Sequence, residues 1–184
     1  MSPIKIDHEL SLRLPDVASD APALFAQLAA SRTTIAKWLP WADQITSPEQ
    51  EATFLRRSKQ DRGLLLVITA DQRPVGMVSF NRFMNEQREA EVGYWLGNQV
   101  TGRGIMHRSL QALCEYGFAN YPLEKIWVKV AVDNVASNAV ARGAGFQLKT
   151  VKPQALELHG RFHDENCWLL QATDFKPKRV SEKG

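Results

Sequence analysis

Two glycines that directly follow a predicted strand give this sequence its clearest chemical signal. Alternating apolar residues predict a strand over 89–96, and apolar groups recur with helical spacing from Met106 onward. Gly102 and Gly104 stand in the turn between them, where the lack of side chains bares backbone N–H groups at the positive end of a helix dipole. Such a turn predicts a phosphate or pyrophosphate site. It lacks the lysine of a Walker loop and the third glycine of a dinucleotide fingerprint.

The strand before this turn carries the best candidate for a general base, Glu91. On period-2 alternation its carboxylate points to the opposite face from Val92 and Tyr94. A carboxylate beside a cleft can accept a proton from an amine or hold an ammonium ion. Strand carboxylates also commonly form salt bridges, so the sequence leaves both roles open.

A second polar cluster begins where a later predicted strand, residues 126–132, ends. Asn134 stands at the junction of strand and helix, a position where asparagine caps helices well. Ser137 and Asn138 follow within one turn. A serine near a helix start is usually a capping or solvated residue, and no Ser-His-Asp order marks it as a nucleophile.

These motifs resemble those of the GNAT acetyltransferase superfamily. The turn that reads QVTGRG after the strand EVGYWL resembles the coenzyme A loop of that family, and the later polar cluster resembles its second signature. The residues of these motifs are similar to those of the RimJ/RimL branch, the protein N-terminal acetyltransferases named for ribosomal proteins. The stretches that carry the resemblance are residues 79–81, 91–104, 134–138 and 145–146.

The resemblance implies acetyl-CoA as co-substrate and no metal. The pyrophosphate of coenzyme A would bind backbone N–H groups of the glycine turn, and its pantetheine arm would pair with the preceding strand. Arg103 would add charge near the phosphates or stay solvated. The implied cofactor-binding residues are Trp95, Leu96, Gln99, Gly102, Arg103, Gly104, Ile105, Asn134 and Asn138.

The implied catalytic residues are Ser137, which in this branch lies near the sulfur, and Glu91 as the candidate base. Many family members use a tyrosine four residues after the serine, but that position is Ala141 here. Close relatives also carry a cysteine and a glutamate where this chain has Val130 and Leu156. The proton donor is therefore Ser137 or a water molecule, and the base and the acceptor stay open.

The predicted elements follow the order β-α-α-β-β-β-α-β-α-β-β, which implies a mixed α/β sheet with helices on both faces. Helices are expected at 19–30, at 33–39, from Ser47 to about Arg62, after Gly104 and at 137–142. The resemblance adds that the strands of Glu91 and Val128 splay apart and hold the cofactor in the gap. The seven predicted strands are residues 10–14, 64–70, 75–83, 89–96, 126–132, 146–151 and 166–171.

A polar loop is expected between the last two strands. It contains His159 and His163, whose i, i+4 spacing is interrupted by a glycine, so no metal pair is predicted. A loop beside the acceptor groove would bring His163, Asp164 or Glu165 to the substrate.

Two tryptophans, Trp38 and Trp41, flank the proline that ends the predicted helix at 33–39. Large aromatic side chains are costly to leave in water. The pair therefore forms either a plug over the core or the rim of an acceptor groove.

The composition predicts one soluble domain over residues 1–184, with a core at about 10–171 and a tail at 172–184. Hydrophobic residues make up 44% and charged residues 23% of the chain. The net charge of +3 lies largely in the tail, so we expect no nucleic-acid partner. No signal peptide and no run of roughly 18 apolar residues is evident, so we expect no membrane partner and a cytoplasmic location. Cys114 and Cys167 are expected to be buried free thiols.

The leading hypothesis is an N-acetyltransferase that moves an acetyl group from acetyl-CoA to a primary amine by direct attack in a ternary complex. The expected acceptor is the N-terminus of a protein or peptide, a ribosomal protein included. An acetyltransferase for a small amine, amino acid or aminoacyl compound is the alternative within this class. A non-catalytic acyl-CoA-binding module and a nucleotide-binding protein are alternatives from other classes. Family resemblance also makes a homodimer an expectation to test.

Overall fold

The computed structural model describes residues 1–58 and 63–176, and these form one sheet of eight strands with four α-helices. The strands are β1 (Ile4–Lys5), β2 (Leu10–Arg13), β3 (Leu64–Ala70), β4 (Arg73–Met84), β5 (Glu89–Leu96), β6 (Lys125–Ala131), β7 (Gln147–Leu158) and β8 (Arg161–Gln171). The helices are α1 (Val17–Ala36), α2 (Pro48–Ser58), α3 (Ile105–Asn120) and α4 (Val135–Gly143). Short 3₁₀ helices cover Pro40–Asp43, Asn85–Gln87 and Asn98–Val100.

The sheet is mixed, with the strand order β1-β2-β3-β4-β5-β6-β8-β7. β5 and β6 run parallel, and the other neighbouring strands of the described residues run antiparallel. A parallel pair needs a crossover connection, and α3 supplies it. The glycine turn and the start of α3 therefore lie at the end of β5, beside the strand pair that the resemblance expected to splay.

Helices cover both faces of the sheet, as predicted. One hydrophobic cluster contains side chains of α3 and α4, and a second contains side chains of α1 and α2. Alternation sends successive strand residues to opposite clusters: Leu66 and Ile68 belong to the first, and Val67 belongs to the second. In β5, Tyr94 packs against the first cluster and Trp95 lies in the second.

All seven predicted strands are present, and β1 is an additional two-residue strand. The predicted loop between the last two strands is wrong. β7 and β8 form one long hairpin, paired from Gln147 with Leu169 to Leu158 with Arg161. The turn between them is only His159 and Gly160, both at positive φ. Most of β7 is exposed, so it lacks the apolar alternation that predicts a strand, and backbone pairing at the sheet edge forms it instead.

α1 is one helix from Val17 to Ala36, so the predicted break between residues 30 and 33 is wrong. The polar residues there favoured an interruption. Ser31 is instead buried, and its Oγ accepts a hydrogen bond from the backbone N–H of Asn98 at 2.8 Å. A tertiary contact thus outweighs the weak local preference.

The predicted start of α2 at Ser47 is confirmed. Ser47 Oγ accepts a hydrogen bond from the Gln50 backbone N–H at 3.3 Å. The Gln50 side chain reaches back one residue further than in a capping box, because its Oε1 accepts from the Thr46 N–H at 2.6 Å. The predicted end of this helix, near Arg62, lies outside the described residues.

Candidate active site

The parallel ladder between β5 and β6 covers only half of β5. Four residue pairs, from Glu89 with Lys125 to Val92 with Val128, belong to it. Residues 93–96 continue to pair with β4 but have no partner in β6 among the described residues. The two strands therefore part after Val92, as predicted. This leaves an open backbone edge, which includes Trp95 and Leu96, next to a gap in the sheet.

The glycine turn lies at the end of this open edge. Gly102 has φ 78° and Gly104 has φ 68°, a left-handed conformation that favours glycine, and a Cβ at either position would meet no atom within 4 Å. Gly104 precedes α3 as its N-cap without a side-chain capping bond. Among the described residues, no backbone hydrogen bond uses the N–H groups of Ile105 and Met106, which lie at the positive end of the α3 dipole. This arrangement fits the pyrophosphate site predicted from the sequence.

Contacts to both sides hold the turn in place. Asn98 donates from its side-chain Nδ2 to Thr34 Oγ1 at 2.9 Å, besides its backbone bond to Ser31. Arg108 donates to the carbonyl oxygen of Gly104 at 3.4 Å and to that of Arg103 at 3.3 Å. The turn is thereby anchored to α1 and to the first turns of α3.

The remaining predicted residues of the turn differ in exposure. Gln99 is exposed in the 3₁₀ helix before the turn, and Ile105 is buried at the start of α3. Arg103 is half exposed, and its Nη2 lies 3.5 Å from Glu9 Oε2. Arg103 thus combines a weak surface ion pair with a position beside the bare helix end.

Ser137 meets Tyr94 across the gap. Tyr94 Oη lies 2.7 Å from Ser137 Oγ and 3.2 Å from the Ser137 carbonyl oxygen. This contact joins α4 to the part of β5 that has left β6. Burial raises the pKa of Tyr94 to about 12, although the hydrogen bond with Ser137 lowers it. The phenol therefore stays protonated near neutral pH and can pass a proton to Ser137.

Tyr94 was not among the predicted site residues, because the resemblance places the family's tyrosine at position 141, which is alanine in this chain. One signal was available. Alternation places Tyr94 with Val92 on the face that α3 and α4 cover, which is the face of Ser137.

Glu91 forms an ion pair with Lys129, with Oε2 2.6 Å from Nζ. The two side chains are 27% and 32% exposed, so the pair is accessible to solvent. Burial lowers the pKa of Lys129, but the hydrogen bond and the negative charge of Glu91 raise it more. The salt bridge left open by the sequence is therefore present, and the role of Glu91 as base stays a prediction.

Asn134 caps α4, as its position predicted: its Oδ1 accepts a hydrogen bond from the Ser137 backbone N–H at 3.1 Å. Asn138 is buried and fully engaged. Its Nδ2 donates to the carbonyl oxygens of Ala131 and Asn134 at 2.9 and 2.8 Å. Its Oδ1 accepts from Asn166 and Trp168. A cofactor contact by the Asn138 side chain would have to replace one of these bonds.

A cavity of about 250 Å³ adjoins this centre on the side of α2. Small-ligand pockets run from roughly 300 Å³ upward, so it accommodates one segment of a small molecule or peptide. Of the two tryptophans, Trp41 lines this cavity and Trp38 does not, and whether Trp41 forms the rim of an acceptor groove stays a prediction. The lining residues are Leu39, Trp41, Phe54, Ser58, Gly63, Leu64, Leu65, Met77, Ser79, Phe80, Asn81, Gly93, Tyr94 and Trp95.

The polar residues expected in a loop between the last two strands lie in the β7–β8 hairpin, where several of them contact other parts of the chain. His159 Nε2 lies 2.8 Å from the Ala36 carbonyl oxygen at the end of α1. Asp164 accepts a hydrogen bond from the Gln154 backbone N–H, and Glu165 contacts the thiol of Cys167. His163 lies opposite Leu156 in the ladder. A substrate contact by His163, Asp164 or Glu165 stays a prediction.

Cys114 and Cys167 are buried free thiols, as expected. Burial raises the pKa of both. Within residues 1–58 and 63–176, no group of three or more metal-ligating side chains occurs. Over the same residues, every helix is too short or too polar to span a bilayer.

Known proteins are similar to this chain in sequence and in fold. The family model described as Acetyltransferase (GNAT) domain matches residues 9–147. The ribosomal-protein-serine acetyltransferase of Escherichia coli strain K12 is 30% identical over 163 residues, which are 86% of this chain and 91% of that protein. Both matches include the glycine turn, the open edge of β5 and Ser137.

Two solved structures are similar over nearly their full length. RimL, a ribosomal L7/L12 alpha-N-protein acetyltransferase in complex with coenzyme A, has a TM-score of 0.86 at 30% identity and covers 92% of this chain and 98% of that one. The microcin C7 self-immunity acetyltransferase MccE, in complex with acetyl-CoA and AMP, has a TM-score of 0.86 at 28% identity and covers 92% and 96%. With a family match over most of its length and close structural similarity to RimL, this chain belongs to the GNAT acetyltransferase family, in agreement with the RimJ/RimL-like branch.

Proposed function

We propose that the protein transfers an acetyl group from acetyl-CoA to the α-amine at the N-terminus of a protein or peptide. The observation that supports this most is the open edge of β5, which runs directly to the bare N-terminus of α3. A long carrier with a diphosphate at one end and amides along its arm matches both features. RimL, similar over 92% of this chain, is in complex with coenzyme A.

In this proposal the glycine turn and the open edge of β5 bind different parts of acetyl-CoA. Backbone N–H groups between Gly102 and Ile105 bind the pyrophosphate, with Gln99 and Arg103 at the margin of the site. The edge at Trp95 and Leu96 pairs with the pantetheine arm, and one of their amides polarises the thioester carbonyl. Asn134 stays the cap of α4 while its backbone borders the arm.

Acetyl-CoA supplies an activated acetyl group, and residues of this chain donate and accept the protons that the transfer requires. The amine nitrogen bonds to the acetyl carbon, the carbon–sulfur bond breaks, and the amine loses a proton. Ser137 Oγ donates a proton to the departing sulfur and recovers one from Tyr94, 2.7 Å away, and Tyr94 regains its proton from water before the next turnover. Glu91, held by Lys129, takes the amine proton through water or orients the ammonium before reaction.

The acceptor cavity on the α2 side supports an α-amine as the reacting group. None of its lining residues within the described part of the chain carries a charge. The described lining, which is mostly apolar, favours the neutral, reactive form of an amine over the ammonium ion. The names of the Escherichia coli relative and of RimL favour a ribosomal protein as the acceptor. A single domain, a homodimer, a cytoplasmic location and the lack of a nucleic-acid partner remain predictions.

An aminoacyl compound is a second candidate acceptor. MccE, which is 28% identical and has a TM-score of 0.86, is in complex with AMP as well as acetyl-CoA. A nucleotide beside the thioester carrier in a similar structure favours acceptors in which an amino acid is joined to a nucleotide. A binding module without activity is the third candidate, and it predicts affinity for acetyl-CoA without turnover.

An acceptor screen tests the proposal. Free thiol released from acetyl-CoA is measured with peptides that begin with serine or alanine, with free amino acids and with polyamines, and mass spectrometry locates the new acetyl group. We expect release with N-terminal peptides and a single acetyl group on the α-amine. Tight binding of acetyl-CoA with no release for any acceptor would support the binding module instead. A lack of acetyl-CoA binding would overturn the cofactor assignment.

A further inference from the structure

An ion pair spans the sheet gap at the point where β5 and β6 part. Glu91 lies one residue before the last paired position of β5, Val92, and Lys129 lies one residue after the last paired position of β6, Val128. Glu91 Oε2 is 2.6 Å from Lys129 Nζ. Both side chains point away from the first hydrophobic cluster, because Val92 and Val128 belong to it. The pair therefore lies on the side of the acceptor cavity, which Trp95 of β5 also lines.

This ion pair occupies the carboxylate that an acceptor would use. In the proposed transfer, Glu91 orients the α-ammonium of the acceptor or takes its proton through water. Lys129 already places an ammonium group on the same carboxylate. Two cations at one carboxylate repel each other, so binding of an acceptor favours a second position for the ammonium of Lys129.

A second carboxylate lies close to Lys129, that of Glu165 in β8. Cys167 is the ladder partner of Lys129, and Ala131 is the partner of Glu165, so Glu165 lies diagonally opposite Lys129 on the same face of the sheet. Its carboxylate turns toward this row, with Oε2 3.6 Å from Cys167 Sγ. Burial lowers the pKa of Lys129, but the hydrogen bond to Glu91 and the negative charges of Glu91 and Glu165 raise it more. Lys129 thus lies in the field of both carboxylates.

Glu165 is able to accept this lysine. Its contact with Cys167 involves a thiol, which is a weak donor, and in the described part of the chain no ion pair includes Glu165. Glu89, which faces the same side of β5, is already engaged by Lys125 Nζ at 2.9 Å and by Trp127 Nε1 at 2.7 Å. Because partly exposed ion pairs contribute little to stability, exchange of one such pair for another costs little.

We propose that Lys129 and Glu165 are positioning residues: Lys129 holds Glu91 in the acceptor-free enzyme and moves to Glu165 when the α-ammonium of the acceptor takes its place on Glu91. The inference rests on the proposed acetyl transfer and assigns two further residues to it. The exchange makes and breaks no covalent bond. It keeps the charge of Glu91 compensated while the acceptor site is empty, and it frees this carboxylate when an acceptor arrives.

A suppressor experiment tests the exchange. Glu165→Gln should keep Lys129 on Glu91, so we expect kcat/KM for a peptide that begins with serine to fall about tenfold or more, since a positioned base typically contributes roughly 10² to 10⁴. Affinity for acetyl-CoA should be unchanged, and Glu165→Asp should recover most of the loss. In the Lys129→Met background, Glu165→Gln should change kcat/KM less than twofold, because no lysine then has to leave Glu91.

Glu157→Gln is the matched control, because Glu157 is an exposed carboxylate of the same hairpin that pairs with Phe162. It should leave kcat/KM unchanged with and without Lys129→Met. A loss in Glu165→Gln that persists in the Lys129→Met background would show that Glu165 acts without the lysine and would overturn the exchange. Normal kcat/KM in Glu165→Gln would overturn it as well.

A structural measurement separates failure of the exchange from failure of the proposed acetyl transfer. Glu91→Gln removes the charge that holds Lys129. In a crystal structure of this variant without ligands, Lys129 Nζ should lie within about 4 Å of a carboxylate oxygen of Glu165, the distance of an ion pair. In a wild-type crystal it should stay on Glu91. A Lys129 side chain that points into solvent in Glu91→Gln would overturn the exchange, whatever the enzyme acetylates.

Discussion

Tyr94 and Ser137 are the residues on which the proposed proton transfer depends. Their hydroxyl oxygens are 2.7 Å apart, and they come from elements that the sheet gap separates. Both residues are neutral at the start of the relay. A neutral serine and a phenol whose pKa is about 12 both remain proton donors at the pH at which an amine attacks.

Replacing Tyr94 by phenylalanine removes the hydroxyl but keeps the ring that packs on the first cluster. We expect kcat to fall about tenfold or more with little change in affinity for acetyl-CoA, since general acid catalysis typically contributes 10² to 10⁴. Ser137→Ala should give a similar fall, and the double variant should add little to either. Steady-state kinetics with calorimetric binding checks this.

Tyr116→Phe is the control, because its ring belongs to an aromatic contact with Tyr121 outside the candidate site. Normal kcat in Tyr94→Phe, or independent losses that multiply in the double variant, would contradict the relay.

At the residue scale, several side chains of the candidate site were predictable from the sequence, but most of their hydrogen-bond partners were not. The cap role of Asn134 follows from local chain order and is confirmed. The burial of Asn138 is not a local property, because its partners Asn166 and Trp168 come from β8, about 30 positions later. The partner of Ser137 likewise comes from a strand 43 residues away. Motif spacing carries no information on such distances.

At the scale of elements, the turn between β5 and α3 carries a prediction of its own. Gly104→Val would place a β-branched residue at φ 68°, a conformation that L-residues adopt only with strain. The turn should shift, and affinity for coenzyme A should fall at least tenfold, as calorimetry would measure.

Gly160→Val is the matched control, since Gly160 also has positive φ (74°) and open space around its missing Cβ, but lies at the β7–β8 turn. It should lower stability to a similar degree and leave coenzyme A affinity intact. Equal affinities in the wild type and Gly104→Val would remove the pyrophosphate assignment.

α2 contains a carboxyl group whose burial makes stability depend on pH. Glu51 is fully buried, and neither of its carboxylate oxygens has a hydrogen-bond partner among the described residues. Burial raises its pKa from 4.5 to about 7. Between these values the folded protein binds more protons than the unfolded chain, so the free energy of unfolding falls as the pH rises. One pKa unit corresponds to about 1.4 kcal/mol, so the loss is on the order of 3 kcal/mol by pH 8.

Glu51→Gln should remove this dependence and stabilise the protein at pH 8 while changing little at pH 4. Urea denaturation across that range measures both. Glu115→Gln, at an exposed position of α3, should reproduce the wild-type profile. A wild-type stability that rises from pH 5 to pH 7.5 relative to Glu51→Gln would show that the carboxylate has a partner.

The elements themselves were predictable where burial imposes a periodic pattern. β3 carries apolar residues on both of its faces, and in β5 apolar residues alternate along the strand. The predicted bounds of both strands match the observed ones. β7 failed because it lies at the sheet edge with little burial, so its residues carry no periodic signal. α1 was divided because the low helix propensity of Ser31, Thr33 and Thr34 opposed a helix that packing on α2 and the sheet stabilises.

For the whole molecule, the fold and the family were predictable because the two motifs lie at fixed places in the chain order. The acceptor side was not. Its cavity combines the segment after α1, α2 and the strands β3 to β5, so no stretch of sequence contains it. The hairpin tip adds a further distant contact: His159 reaches the end of α1, 123 residues earlier, just before the segment that carries Trp41.

The half-length ladder of β5 has one consequence for solvent exchange. Among the described residues, amide hydrogens of residues 93–96 that face the gap have no acceptor in β6 and are open to exchange with solvent. A carrier bound along that edge would exclude this solvent, so deuterium uptake there should slow with coenzyme A while the amides of residues 89–92 stay unchanged. Bound coenzyme A would then take the place of a neighbouring strand beside residues 93–96, so the protection of these amides from exchange would depend on the ligand.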